Sequence, residues 1–203
     1  MVRPPSIDGL EEALVREGTN RADGKEETIE MEHSPKIGIV MGSDSDLSVM
    51  EETLGALDAF EVPYEVRILS AHRSPRETSV YAREAADRGV KVLIAGAGWA
   101  AHLAGVLAAE TVLPVIGVPI DSSPLSGMDS LLATVQMPPG VPVATMAIGK
   151  GGAFNAAVFA VQILALHDPL LREKLESRKK TMAEDILEKK NGKLTEYLSA
   201  RRS

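Results

Sequence analysis

Residues 90–98 read VKVLIAGAG, an almost unbroken apolar run that ends in glycines. A strand with one face in water alternates apolar and polar residues. This run does not, so it reads as a central parallel strand covered on both faces. Its neighbours carry the helical period. Residues 75–88 form a predicted helix that stops at Gly89, a suitable C-cap, and a second predicted helix covers about 100–110. The pattern continues outward. KIGIVM (36–41), YEVRIL (64–69), LPVIGVPI (113–120) and VPVATMAI (141–148) read as further strands. Helices are predicted over about 46–60, 126–135, 151–166 and 169–190. Strands alternating with helices predict an α/β protein with a parallel sheet. Right-handed crossovers then make a three-layer α/β/α sandwich.

The main domain is expected over 36–168, followed by a C-terminal helical tail over 169–203. Residues 1–35 are polar and acidic, with one short helical stretch at Leu10–Arg16, and read as an extension outside the domain. The helix at 151–166 (GGAFNAAVFAVQILAL) is apolar on most faces. One face of a small sandwich does not easily bury such a helix, so homo-oligomer packing is expected.

Composition removes several classes of function. The chain has no cysteine, which excludes disulfides, thiolate nucleophiles and cysteine-ligated metals. Four scattered histidines give no metal motif. A net charge of −7 argues against wholesale nucleic-acid binding. No apolar run reaches the ~18 residues of a membrane span, and the first residues lack the apolar core of a secretory signal. A cytoplasmic protein is the expectation. Aromatic residues are only 3% of the chain, too few to wall a flavin.

Chemistry concentrates where strands end and helices begin, the edge at which open α/β sheets bind ligands. Ser70-Ala71-His72-Arg73-Ser74-Pro75 is the most informative such stretch. Ser74, Pro75 and Glu77 together read as a capping box opening a helix. Capping leaves His72 and Arg73 unexplained. An imidazole moves protons near neutral pH, and a guanidinium grips an anion with two prongs. Gly42-Ser43-Asp44-Ser45-Asp46 has two readings. Ser43 and Ser45 with the helix-start N–H groups would hold a phosphate, with one carboxylate on ribose hydroxyls, or the segment is an ordinary N-cap. His102, one turn into the helix after Gly98, is either a second base or a satisfied structural histidine. Lys150 is an anion contact or a solvated charge. The loops at 119–131 and 136–142 lie at the same edge. A phospho-receiver would need an aspartate where this chain has Gly96-Ala97-Gly98, and that reading fails.

Seven segments in order, GIVMGSDSD (38–46), SAHRSP (70–75), IAGAGWAAHLAG (94–105), PVIGVP (114–119), LSGMDSL (125–131), VQMPPGVPVAT (135–145) and AIGKGGAFNAA (147–157), closely resemble the PurE family of purine biosynthesis. The likeness covers about 37–190 and is nearest the class I branch, the N5-carboxyaminoimidazole ribonucleotide (N5-CAIR) mutases. The resemblance implies a flavodoxin-like fold assembled as an octamer, with no metal and no organic cofactor. It implies movement of a carboxylate from the exocyclic nitrogen to C4 of the imidazole. His72 carries over as proton shuttle, with His102 as the other candidate base. Ser43, Asp46 and Arg73 match ligand-binding positions. Ser45, Ser70 and the Gly98–Leu103 loop, including Trp99 and Ala100, match residues lining the pocket. Two positions depart from the family pattern: Trp99 replaces a usual glycine and Ala104 a usual proline. The indole is expected at the mouth of the crevice or against a neighbouring subunit. A carboxylase or decarboxylase acting on aminoimidazole ribonucleotide (AIR) or its C4-carboxylated product (CAIR), and an idle nucleotide-binding paralogue, are the competing functions.

Overall fold

The structure is a computed structural model and describes residues 34–201. The predicted extension, with its short helix at Leu10–Arg16, lies outside the described residues apart from Ser34 and Pro35. The described chain runs β1 (Ile37–Met41), a 3-10 turn (Asp44–Asp46), α1 (Leu47–Phe60), β2 (Tyr64–Ile68), α2 (Pro75–Glu84) and β3 (Val92–Gly98). It continues with α3 (Leu103–Glu110), β4 (Val115–Ile120), α4 (Met128–Val135), β5 (Ala144–Thr145) and α5 (Lys150–Leu164). The tail comprises α6 (Pro169–Glu184), a π-helical stretch (Asp185–Lys190) and α7 (Asn191–Ala200).

All five strands are parallel, in the order β2-β1-β3-β4-β5. Ile39 sits between Val66 and Ile94 in register, and Ile94 is paired with Ile116. Strand side chains alternate between faces, and the core divides accordingly. Ile37, Ile39, Ile94, Ile116 and Val118 pack under α1 and α5 through Met50, Leu57, Ala156 and Ala160. Val40, Leu93, Ala95 and Val115 pack under α2 and α3 through Tyr81, Leu103 and Leu107. This is the flavodoxin-like three-layer sandwich. The first five residues of β3 are all buried, as its unbroken apolar run requires.

Two local readings are corrected. The fifth strand, expected over 141–148, is reduced to Ala144–Thr145. Pro142 has no N–H to give a ladder, and beyond Thr145 the chain follows β4 by single bonds, Met146 N–H to Gly117 O at 2.8 Å and Gly149 N–H to Pro119 O at 2.9 Å. The tail helix does not stop near 190 but runs on to Ala200. The apolar helix α5 is covered on one face only. Its alanines at 153, 156, 157 and 160 are fully buried against the sheet and α1, and Thr53 Oγ1 donates to Ala153 O at 2.8 Å. Phe159 on the outer face of α5 is 37% exposed, and α4 carries a further exposed apolar stripe, where Met128, Leu132 and Val135 are each about half exposed.

Candidate active site

Beyond Met41, Gly42 N–H donates to Gly96 O, tying the end of β1 to β3. Ser43 is extended and caps the 3-10 turn: its Oγ accepts from Ser45 N–H, and Asp46 Oδ2 accepts from Ser43 N–H at 3.0 Å. The capping box of this protein is therefore here. Ser43 Oγ also donates to Asp44 Oδ1, and Ser45 Oγ donates to Ser43 Oγ, both at 3.0 Å. The Ser43 hydroxyl, followed by the Ser45 amide, holds the Asp44 carboxyl below its ordinary value. Asp46 is buried, and loss of hydration pushes its carboxyl up, against the N–H groups of Ser43 and Gly42 and the charge of Arg73.

The predicted capping box at Ser74 does not form, and Ser74 makes no side-chain cap on α2. Its Oγ reaches back instead, accepting from Ser70 N–H at 2.9 Å and donating to Ser70 O at 3.2 Å. The competition is local: a serine four residues upstream offers both a donor and an acceptor. The resulting closed turn presents His72 and Arg73. Ser70 Oγ accepts from the backbone N–H and from Nε of Arg73, at 3.2 and 3.3 Å. Arg73 Nη2 donates to Gly42 O at 2.8 Å, across the gap between the β2 and β1 loops. The guanidinium is held at two points while its Nη1 group has no hydrogen-bond acceptor among the described residues.

At the end of β3, Gly98 lies against the β4 end: a Cβ there would displace the Ser122 hydroxyl and lie 3.3 Å from both Ser122 Cβ and Ile120 O. Trp99 follows with φ +53°, in the left-handed region that suits glycine. His102 is not one turn into α3, as expected, but at its N-cap position. There it meets His72. Nε2 of His72 and Nδ1 of His102 are 2.7 Å apart, with the rings edge to face at 78°. One nitrogen donates and the other accepts, so the contact holds a single proton between the rings. Ala104, in the first turn of α3, is buried in the core. Lys150 is turned elsewhere, 3.5 Å from Glu52 and largely exposed.

These loops enclose a cleft of about 550 Å³. Ser43, Ser45, Asp46, Ser70, His72, Arg73, Gly98, Trp99 and Leu103, all singled out from sequence, line it, whereas His102 reaches it through His72 and the exposed Ala100 does not line it. Ser122 lines the cleft without having been singled out. Its signal was its place just past β4, opposite the glycine of β3. A larger hollow of about 820 Å³ lies away from the strand ends, between the close of α1 and α6. It holds none of these groups.

The family described as AIR carboxylase matches residues 36–185. The chain is 57% identical, over 73% of its length and 84% of the relative's, to the N5-carboxyaminoimidazole ribonucleotide mutase of Pyrococcus abyssi. It is 56% identical to the phosphoribosylaminoimidazole carboxylase of Schizosaccharomyces pombe, over 77% of this chain and 28% of that longer one. Among solved structures, Treponema denticola PurE superposes with a TM-score of 0.70 at 28% identity, covering 78% of this chain and 98% of the other. A matching parallel sandwich and a family match that spans most of the chain lead to one conclusion: the chain belongs to the AIR carboxylase, or PurE, family.

Proposed function

We infer that this protein is an N5-CAIR mutase of purine biosynthesis, converting N5-CAIR to 4-carboxyaminoimidazole ribonucleotide. The observation that carries the reading is the His72–His102 contact of 2.7 Å in a cleft that Arg73 shares. An anionic mononucleotide needs a cation and hydroxyl donors for its phosphate. Arg73, Ser43 and Ser45 supply them, and Asp46 suits ribose hydroxyls. The chemistry needs an acid and then a base. Breaking the carbamate requires a proton on nitrogen, and removing the C4 proton requires a base afterwards. One imidazole does both in turn, and His102 orients it and sets its tautomer. Ser70 positions Arg73, and Gly98, Trp99 and Leu103 bound the cleft.

Relatives named mutase and carboxylase are almost equally identical to this chain, so the carboxylase reading keeps a specific basis. Purified protein is given N5-CAIR, or AIR with bicarbonate. Rapid CAIR formation from N5-CAIR, and slow formation from AIR, is the expected outcome. The reverse preference makes the protein a carboxylase. We propose further that residues 36–168 form the catalytic domain, that the chain is a homo-oligomer, and that the family resemblance sets it as an octamer. The half-exposed stripe Met128, Leu132 and Val135 on α4 supports the oligomer, because monomers seldom expose apolar rows of that kind. A monomer by light scattering at micromolar concentration would remove that reading.

A further inference from the structure

Trp99 occupies its position at a cost. A bulky residue at φ +53° is an outlier, and the adjoining turn would close as well around glycine. Strain of this kind persists where something else requires the residue. Packing within its own chain is not that requirement, since the side chain is 59% exposed there and has no ring-stacking or cation–π partner among the described residues. Yet Trp99 lines the cleft. A side chain that both lines a cleft and stands in solvent is at its rim. The other cleft residues are mostly polar or small; the remaining large apolar one, Leu103, is 2% exposed and sits in the floor. Among the residues lining the cleft, the indole is the one large apolar group at the rim.

The inferred reaction needs such a cover. The N–carboxylate bond breaks with its electron pair left on nitrogen, which takes a proton from His72, and CO2 departs. C4 then adds to CO2 with an electron pair of the ring, and the C4 proton returns to His72. Protons and electrons balance without a co-reactant. Between the two steps the carbon is a small neutral molecule that no charge or hydrogen bond anchors, and only walls that exclude water retain it.

We propose that Trp99 closes over the bound nucleotide and keeps CO2 in the cleft between the breaking of the N–C bond and the forming of the C4–C bond. It is a positioning residue, and the proposal rests on the mutase reading. The test gives wild type, Trp99→Phe and Trp99→Gly N5-CAIR in isotopically labelled bicarbonate, with carbonic anhydrase to equilibrate CO2. Released AIR, CAIR and label in CAIR are measured against an enzyme-free blank. Trp99→Gly is expected to release severalfold more AIR per CAIR formed and to take up more label, with Trp99→Phe close to wild type. A product ratio is independent of how much enzyme is active, so poor folding does not imitate this result. Equal ratios and equal label in all three proteins would overturn the proposal. A wild type that forms no CAIR at all would overturn the mutase reading, and the cover with it.

Discussion

The two loops that face each other across the cleft are built in opposite ways. The turn at Ser70–Pro75 is locked from within. Ser74 bonds both polar groups of the Ser70 backbone, Ser70 holds Arg73 twice, and Arg73 spans to Gly42. The turn at Gly98–His102 has one internal backbone bond, His102 N–H to Ala100 O, a strained residue at its centre and an exposed indole. One wall is preorganised for an anion and a proton. The other has fewer internal bonds, and it is tied to the first at its end, where His102 meets His72. Groups that must be in place when substrate arrives belong on the first wall, and a group that acts after binding belongs on the second.

The contrast is broken most directly at His72. His72→Asn is expected to lower kcat by about 10²–10⁴-fold with little change in nucleotide affinity, as read by steady-state kinetics and calorimetry with AIR. A variant with most of its activity would take the proton shuttle off the rigid wall. The next effect belongs to the anion. Arg73→Ala is expected to weaken nucleotide binding by about 10–100-fold, the range for losing charge-assisted hydrogen bonds. An unchanged Kd would mean that the locked guanidinium holds only the loop.

The opposite wall answers with stability. Trp99→Gly relieves a left-handed bulky residue and is expected to stabilise the fold by roughly 1 kcal/mol, seen as a higher urea midpoint. Destabilisation would show that the indole is packed and that the second wall is as fixed as the first. The smallest effect concerns Asp46, beneath the rigid side. Burial raises its carboxyl. The stability it contributes is therefore full below the unfolded value of about 3.9 and is lost as pH rises through the raised folded value. Asparagine keeps an acceptor for Ser43 N–H and does not titrate. The stability of Asp46→Asn relative to wild type should climb from about pH 4 upward and then level off, as followed by urea unfolding across that range. A gap that narrows with rising pH would reverse the assignment.

The two walls also differ in how much of them was legible before folding. His72 and Arg73 stood out because capping, the ordinary purpose of a Ser-Pro helix start, leaves no work for an imidazole or a guanidinium. The predicted cap failed because Ser70 competes for Ser74 at four residues' distance, and a pattern of single positions does not rank two local partners. The central strands were readable from their unbroken apolar runs. Strand β5 was not, because Val143 and Ala144 look like strand residues while Pro142 withholds the donor a ladder needs. The demand for oligomer packing was placed on α5 from its composition. Alanines fit closely against the sheet, so one face of α5 is covered while Phe159 stays exposed, and α4 adds a second exposed apolar row. Ser122 joins the cleft only because β4 lies beside β3, a neighbourhood that local reading of residues 119–131 does not contain.

Trp99 is the chain's single tryptophan. Its emission therefore comes from one ring, at the rim of one cleft, with no background from any other indole. A shift toward the blue on adding nucleotide would report that ring leaving water. The protein brings its own optical probe, without a label, for following ligand arrival by stopped flow or for ranking inhibitors by occupancy of the cleft.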